Sequence, residues 1–182
     1  MAAAGLPVGP WEAITPAQWR DDRAASLARA GALSFPVFVK PARGGSSIGI
    51  GRVDDPARLE AAIVEAQRFD PKVVVEQGFV GAREIELGVI EDLDGPPRVS
   101  LPGEIRMHTA DAFYDFDAKY LPEDQVSLQV PADVDPVLLA DIQDLAARTF
   151  AAMAVEGLAR VDLFVDADGV AWVNELNTMP GF

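Results

Sequence analysis

The sequence predicts an α+β fold, and three observations carry that prediction: helix-start signals at irregular intervals, strand-like apolar runs between them, and a length that suits one well-buried core or two small lobes. Thr15-Pro16, Asp55-Pro56 and Asp135-Pro136 each join a capping side chain to a proline at the first helical position. The first predicts a helix that stops at Gly31. The second predicts a helix with Leu59, Ala62, Ile63 and Ala66 on one face, ending near Asp70-Pro71. The third begins the longest helix, with Leu138, Leu139, Ile142, Leu145, Thr149 and Met153 as its buried stripe. Strands are expected over residues 35–40, 48–53, 72–76, 84–90, 99–106, 126–130, 159–165 and 170–175. Helices and strands do not alternate regularly, so a regular doubly wound sheet is not expected. Residues 107–123 have no clean period and are rich in Asp and aromatics, which predicts a long functional loop.

Composition narrows the chemistry. The 182 residues are 49% hydrophobic with a formal net charge of −14. That acidity argues against a nucleic acid or an anionic membrane as partner. No apolar run approaches the roughly 18 residues of a membrane span. The opening lacks the basic and apolar regions of a signal peptide, so a cytoplasmic protein is expected. Cysteine is absent and histidine occurs once, at His108, which excludes thiolate zinc sites, a cysteine nucleophile and multi-histidine metal sites. A metal here needs oxygen ligands, which favours Mg²⁺, Mn²⁺ or Ca²⁺.

The C-terminal part supplies such a ligand set. Asp168-Gly169 reads as a two-residue hairpin turn between strands 159–167 and 170–175. In that register Asp162 stands opposite Glu175, and Arg160 opposite Asn177. Because strand side chains alternate, all four face one side. Two carboxylates about 5 Å apart repel by about 3 kcal/mol at an effective dielectric near 20. Protonation, Arg160 or a bridging cation must offset that repulsion. Asp, Glu and Asn oxygens on one face suit Mg²⁺, which keeps waters and recruits phosphate oxygens.

A second constellation lies near the start. The strand at 35–40 ends in Lys40, and Gly44, Gly45 and Gly49 follow in a loop whose backbone N–H groups can approach phosphate oxygens. A strand follows this loop rather than a helix, so it is neither a Walker A nor a dinucleotide fingerprint. Further on, the 73–80 segment reads as a strand leaving its core, where freed backbone groups can pair with an adenine edge. Glu84 is placed to accept from ribose hydroxyls.

Taken together, Phe38-Val-Lys-Pro-Ala42, Gly45-Ser-Ser-Ile-Gly49, Val75-Glu-Gln-Gly78, Arg83-Glu-Ile-Glu86, Pro102-Gly-Glu-Ile105, Ala118-Lys-Tyr120, Leu158-Ala-Arg-Val-Asp162 and Asn174-Glu-Leu-Asn-Thr-Met-Pro-Gly-Phe182 resemble the D-alanine–D-alanine ligases of the ATP-grasp superfamily, over nearly the whole chain. The resemblance implies an ATP-grasp fold whose two α+β subdomains grip ATP, residues 1–79 as the small lid subdomain and 80–182 as the large one. It implies an ATP-dependent ligase that makes D-alanyl-D-alanine for peptidoglycan precursors through an acyl phosphate, in a homodimeric parent. Lys40 would contact the ATP phosphates, and the loop of Ser46 and Ser47 would close over them. Glu76, Gln77, Phe79 and Phe113 would line the adenine site, with Glu84 on the ribose and Lys119 and Asn174 among the nucleotide contacts. Asp162, Glu175 and Asn177 would hold two Mg²⁺ ions, for which Mn²⁺ can substitute. Arg160 and the Gly181 N–H would stabilise the tetrahedral oxyanion, Ser46 would tie the lid to the substrate pocket, and Lys119 and Tyr120 would exclude water. The Lys-Tyr pair favours D-alanine as the second substrate.

The family normally adds an N-terminal domain, a second phosphate-contacting lysine before Met1, and a segment beyond Phe182. This chain is therefore expected to be a piece that does not ligate D-alanine at useful rates. Two other readings stay open: a D-alanine–D-serine type ATP-grasp ligase, and a non-catalytic nucleotide-binding module.

Overall fold

The computed structural model describes residues 1–107 and 126–180. The expected loop beyond Met107, with His108, Phe113, Lys119 and Tyr120, lies outside the described residues, as does Gly181. Two compact units form: Gly9–Val80, and Met1–Val8 together with the described residues from Gly81 onward. The first eight residues join the second unit because Leu6 is buried in its core and the Val173 N–H donates to the Pro7 carbonyl at 2.8 Å.

The smaller unit runs β1 (Trp11–Ile14), α1 (Pro16–Asp21), α2 (Arg23–Gly31), β2 (Val37–Pro41), β3 (Gly51–Val53), α3 (Leu59–Ala66) and β4 (Val73–Gln77). Its antiparallel sheet has the order β1-β4-β2-β3. Thr15 and Gln18 cap α1 reciprocally, the Gln18 Oε1 accepting the Thr15 N–H at 2.8 Å. The single helix expected over 16–31 is two helices. Asp22, at φ −150°, leaves the helical region, ends α1 and caps α2 by accepting the Ala25 N–H at 2.9 Å. The second expected helix begins with a 3-10 turn, Pro56–Arg58, and α3 stops at Ala66, short of Asp70. There the chain tightens, with the Arg68 and Phe69 N–H groups donating to the Glu65 and Ala66 carbonyls.

Strand alternation sorts this sheet into two faces. Val37, Val39, Val73 and Val75 are fully buried against Ala30, Leu59, Ile63 and Ala66. Phe38, Lys40 and Glu76 point the other way. β1 was not expected from the sequence: it is a short edge strand with only Ile14 buried, too little to show alternation.

The larger unit contains β5 (Arg83–Ile90), β6 (Arg98–Val99), β7 (Gly103–Met107), β8 (Val126–Gln129), α4 (Pro136–Ala152), β9 (Leu158–Val165) and β10 (Ala171–Asn177). The sheet is antiparallel with order β10-β9-β5-β7-β8, and β6 pairs with β5. The strand expected over 99–106 divides at Pro102, which has no N–H for a ladder and whose carbonyl accepts from Ala132. α4 buries Ile142, Leu145, Ala146, Thr149 and Phe150. Leu138 and Leu139 are half-buried, and Met153 is the exposed C-cap. Buried Glu104 on β7 is neutralised by Arg83 and Arg106 at 2.8 and 2.9 Å.

On β9, Ala159, Val161, Leu163 and Val165 are buried in the core that includes α4. Arg160 and Asp162 therefore project from the opposite face of the sheet. Among the described residues no helix is long and apolar enough to cross a membrane.

Candidate active site

The β9–β10 ribbon brings the predicted residues together by a route that differs from the expected one. The Asp166 N–H donates to the Val170 carbonyl and the Gly169 N–H to the Asp166 carbonyl, both at 3.0 Å, so the loop is Ala167-Asp168-Gly169. Gly169 takes the left-handed conformation at φ 79°. This three-residue loop replaces the predicted two-residue turn. The Asp166 carboxylate accepts the Trp172 indole N–H and the Val170 and Asp168 N–H groups, which hold its carboxyl below the ordinary range. The loop's extra residue alone shifts the register by one. The ladder shifts again between Val173 and Glu175, where Asn174 is an additional residue in β10. The two shifts cancel. Glu175 pairs with Asp162 and Asn177 with Arg160, as the sequence predicts.

Side-chain contacts tie the group together. Arg160 grips Asp162 with two hydrogen bonds, Nε to Oδ1 at 2.6 Å and Nη2 to Oδ2 at 2.7 Å. The Asn177 amide donates to Asp162 Oδ2 at 3.0 Å and to Glu175 Oε1 at 2.9 Å. Glu86 on β5, opposite Asp162, lies 3.2 Å from Arg160 Nε. Among the described residues, three carboxylates thus face the Arg160 guanidinium. Burial pushes the Asp162 carboxyl up, the Glu175 charge adds to the push, and Arg160 opposes it. The Arg160 guanidinium is held more firmly protonated, chiefly by its hydrogen bonds to Asp162.

This donor set fits a divalent cation. Two carboxylates and an amide converge on one patch where a 2+ ion would offset the carboxylates, and turning the Asn177 amide over would present its oxygen instead of its nitrogen. Three protein ligands leave room for water and phosphate oxygens, as Mg²⁺ requires.

In the smaller unit, Lys40 forms an ion pair with Glu76, which stands on the neighbouring strand opposite Phe38. Ser46 and Ser47 both take left-handed backbone, at φ 51° and 58°. The loop that carries them is fixed at both ends. Arg43 binds buried Asp70 through two bonds, at 2.8 and 2.9 Å, and the Phe69 ring lies 2.6 Å from where a Cβ on Gly49 would stand. Arg43 holds the Asp70 carboxyl well below its ordinary value of 3.8. A depressed carboxylate stabilises the fold above that ordinary value, and the contribution is lost as pH falls through it toward the folded value. Asp70→Asn is thus expected to be less stable than wild type at pH 7, with the difference shrinking as pH falls below about 4. Urea unfolding across that range checks it, and a pH-independent gap would refute it.

Gln77 accepts the Ser34 N–H through Oε1 at 3.3 Å, and the Phe79 ring packs over Gly9, 2.7 Å from where its Cβ would stand. Glu84 lies on β5 two residues from Glu86, on the same face, paired with Phe164 and Ile105. Lys40, Glu76, Ser46 and Ser47 belong to the smaller unit, and Glu84, Arg160, Asp162, Asn174, Glu175 and Asn177 to the larger. Phe113, Lys119, Tyr120 and Gly181 lie outside the described residues. Arg43, Asp70 and Glu86 were not predicted as site residues. For Glu86 strand alternation gives the face it shares with Glu84, but not its pairing with Asp162.

Known proteins share this arrangement of elements. A family described as "D-ala D-ala ligase C-terminus" matches residues 1–182. A D-alanine–D-alanine ligase of Kineococcus radiotolerans is 54% identical over 100% of this chain and 49% of its own length. One from an Arthrobacter species is 50% identical over 99% of this chain and 47% of its own length. Among solved structures, the VanG D-Ala:D-Ser ligase of Enterococcus faecalis superposes with a TM-score of 0.82 at 31% identity, covering 100% of this chain and 50% of that one. The D-alanyl-alanine synthetase A of Vibrio cholerae gives 0.81 at 30% identity, covering 99% and 53%. The chain spans about half the length of the curated relatives it matches. With the ATP-grasp fold of these ligases, and a family match along its whole length, the chain belongs to the D-Ala–D-Ala ligase C-terminus family.

Proposed function

We propose that this chain is the nucleotide- and metal-binding part of an ATP-dependent ligase that joins two D-alanines for peptidoglycan precursors. The convergence of Arg160, Asp162, Glu175 and Asn177 on one face of β9–β10, in a chain of this family, supports the reading above all else. Gly9–Val80 would correspond to the lid subdomain of the ATP-grasp fold and the larger unit to its large subdomain. In the smaller unit, Lys40 would leave Glu76 to contact phosphate, and Ser46 and Ser47 would offer hydroxyl and N–H groups. Glu76, Gln77 and Phe79 would receive the adenine, with Glu84 on the ribose and Asn174 beside the nucleotide.

Asp162, Glu175 and Asn177 would hold Mg²⁺, which offsets charge on the phosphates as the γ-phosphoryl passes to the first D-alanine carboxylate. The second amine then attacks the acyl carbon, Arg160 stabilises the oxyanion that forms, and the amide results as the carbon–oxygen bond to phosphate breaks, phosphate leaves and the amine gives up a proton. Lys119, Tyr120, Phe113 and Gly181 are assigned to this chemistry by resemblance alone, as is a homodimeric parent. D-serine as the second substrate is the alternative, favoured by the likeness to a D-Ala:D-Ser ligase.

The test is phosphate release from ATP by the protein containing this chain, with D-alanine alone and then with D-serine added. Mg²⁺-dependent release with D-alanine alone, lost in Asp162→Asn, is expected. Release that needs D-serine supports the alternative, and ATP binding without turnover supports a non-catalytic module.

A further inference from the structure

Glu86 has a partner but no part in the chemistry so far. It stands on β5 directly across from Asp162, its Oε1 3.2 Å from Arg160 Nε, and both side chains are largely buried at 21 and 24% exposed. Among the described residues no three acids are grouped closely enough to hold a metal ion. In this arrangement Glu86 is engaged by Arg160 rather than grouped with Asp162 and Glu175. Its charge acts on the guanidinium.

That guanidinium faces a conflict. Arg160 gives Nε and Nη2 to the two oxygens of Asp162, the carboxylate assigned to the cation. A cation arriving at Asp162 competes for the same lone pairs and repels Arg160. If Arg160 had no other acceptor, releasing Asp162 would leave a mostly buried guanidinium unpaired, a costly state. Nε already lies within reach of two carboxylate oxygens, one from Asp162 and one from Glu86. Transfer from the first to the second needs only a small reorientation.

We propose that Glu86 is a positioning residue that takes over the Arg160 guanidinium when a divalent cation engages Asp162, keeping Arg160 beside the cation instead of in competition with it. The proposal rests on the cation-site reading above and goes beyond it by assigning a role to a residue outside the ligand set.

The test titrates the chain with Mn²⁺ alone, following free ion by electron paramagnetic resonance, in wild type, Glu86→Gln, Glu86→Asp, Arg160→Gln and the Glu86→Gln/Arg160→Gln double variant. Glu86→Gln is expected to weaken Mn²⁺ binding about fivefold, with Glu86→Asp recovering most of the loss. In the Arg160→Gln background the same change is expected to cost much less, because Glu86 acts through the guanidinium. Equal weakening in both backgrounds overturns the proposal, since a charge acting through space needs no arginine. Unchanged binding in Glu86→Gln overturns it too.

A second readout does not depend on Arg160→Gln folding. The Arg160 Nε–H resonance should stay protected from solvent exchange as Mg²⁺ is added to wild type, and lose protection in Glu86→Gln. Loss of protection in both proteins overturns the hand-over. A wild-type chain that binds Mn²⁺ no better than Asp162→Asn removes the cation site itself, and the hand-over with it.

Discussion

Replacing Arg160 with glutamine is expected to move cation binding and catalysis in opposite directions. The substitution removes the guanidinium that faces Glu86, Asp162 and Glu175, so the local negative charge rises by one. Without cation the ribbon should then be less stable, because the carboxylates lose both their hydrogen-bond donor and their counter-charge. The Asp162 oxygens that Arg160 held become available to a divalent ion, so affinity for Mg²⁺ or Mn²⁺ should rise about tenfold or more. Excess Mg²⁺ should restore most of the lost melting temperature. In the protein containing this chain, D-alanine-dependent phosphate release should nonetheless fall by about 10²- to 10³-fold, the usual loss when one oxyanion donor is removed. Asp162→Asn is the control with the other sign for binding: it lowers the local negative charge and removes a ligand. If Arg160→Gln weakens Mn²⁺ binding, the guanidinium is part of the cation site rather than its competitor.

Local signals in the chain carried most of the architecture, and where they misled, long-range contacts decided. The Thr15, Asp55 and Asp135 caps mark real helix starts because an N-cap is satisfied within three residues. The break at Asp22 was less legible. The residue reads as an ordinary charge on a helix surface, and its capping bond to Ala25 matters only once the chain turns there. Pro102 divides an expected strand, and its carbonyl partner Ala132 lies thirty residues on, beyond any periodicity window.

The ribbon shows how a correct pairing can come from an incomplete picture. Period-two alternation and the Asp168-Gly169 signal gave the right partners for Asp162 and Arg160. The turn itself is one residue longer, closed by Asp166, and Asn174 restores the register. An additional strand residue leaves no mark in composition, yet here it adds an Asn next to Glu175 without displacing Glu175 from Asp162. Glu86 escaped for a different reason. Its importance comes from the pairing of β5 with β9, strands separated by more than sixty residues, and no local pattern announces which distant strands become neighbours. Asp70 is similar. Beside Pro71 it reads as a helix stop, whereas in the fold its carboxylate anchors the stem of the glycine loop through Arg43.

A large stability loss is expected from Leu163→Ala. Leu163 is 1% exposed on β9, between Ile85 on β5 and Val173 on β10, in the core that includes α4. Truncating such a residue costs about 2–5 kcal/mol, because surrounding atoms fill only part of the cavity. A fold held by about 5–15 kcal/mol cannot absorb much more than that. The position also bears on the site, since Leu163 follows Asp162 on the same strand and fixes which way that carboxylate points. Leu163→Ala is therefore expected to lower the urea midpoint of the larger unit and to weaken Mn²⁺ binding. Ile63→Ala is the matched comparison: fully buried, of similar volume, but in the core of Gly9–Val80. It should cost a comparable amount while leaving Mn²⁺ affinity at the wild-type value. Trp172 reports on the larger unit and Trp11 and Trp19 on the smaller, so tryptophan substitutions that leave one reporter at a time resolve which unit has lost stability. Equal effects of the two core truncations on Mn²⁺ binding would mean that global loosening, rather than the seating of β9, governs the ligand geometry.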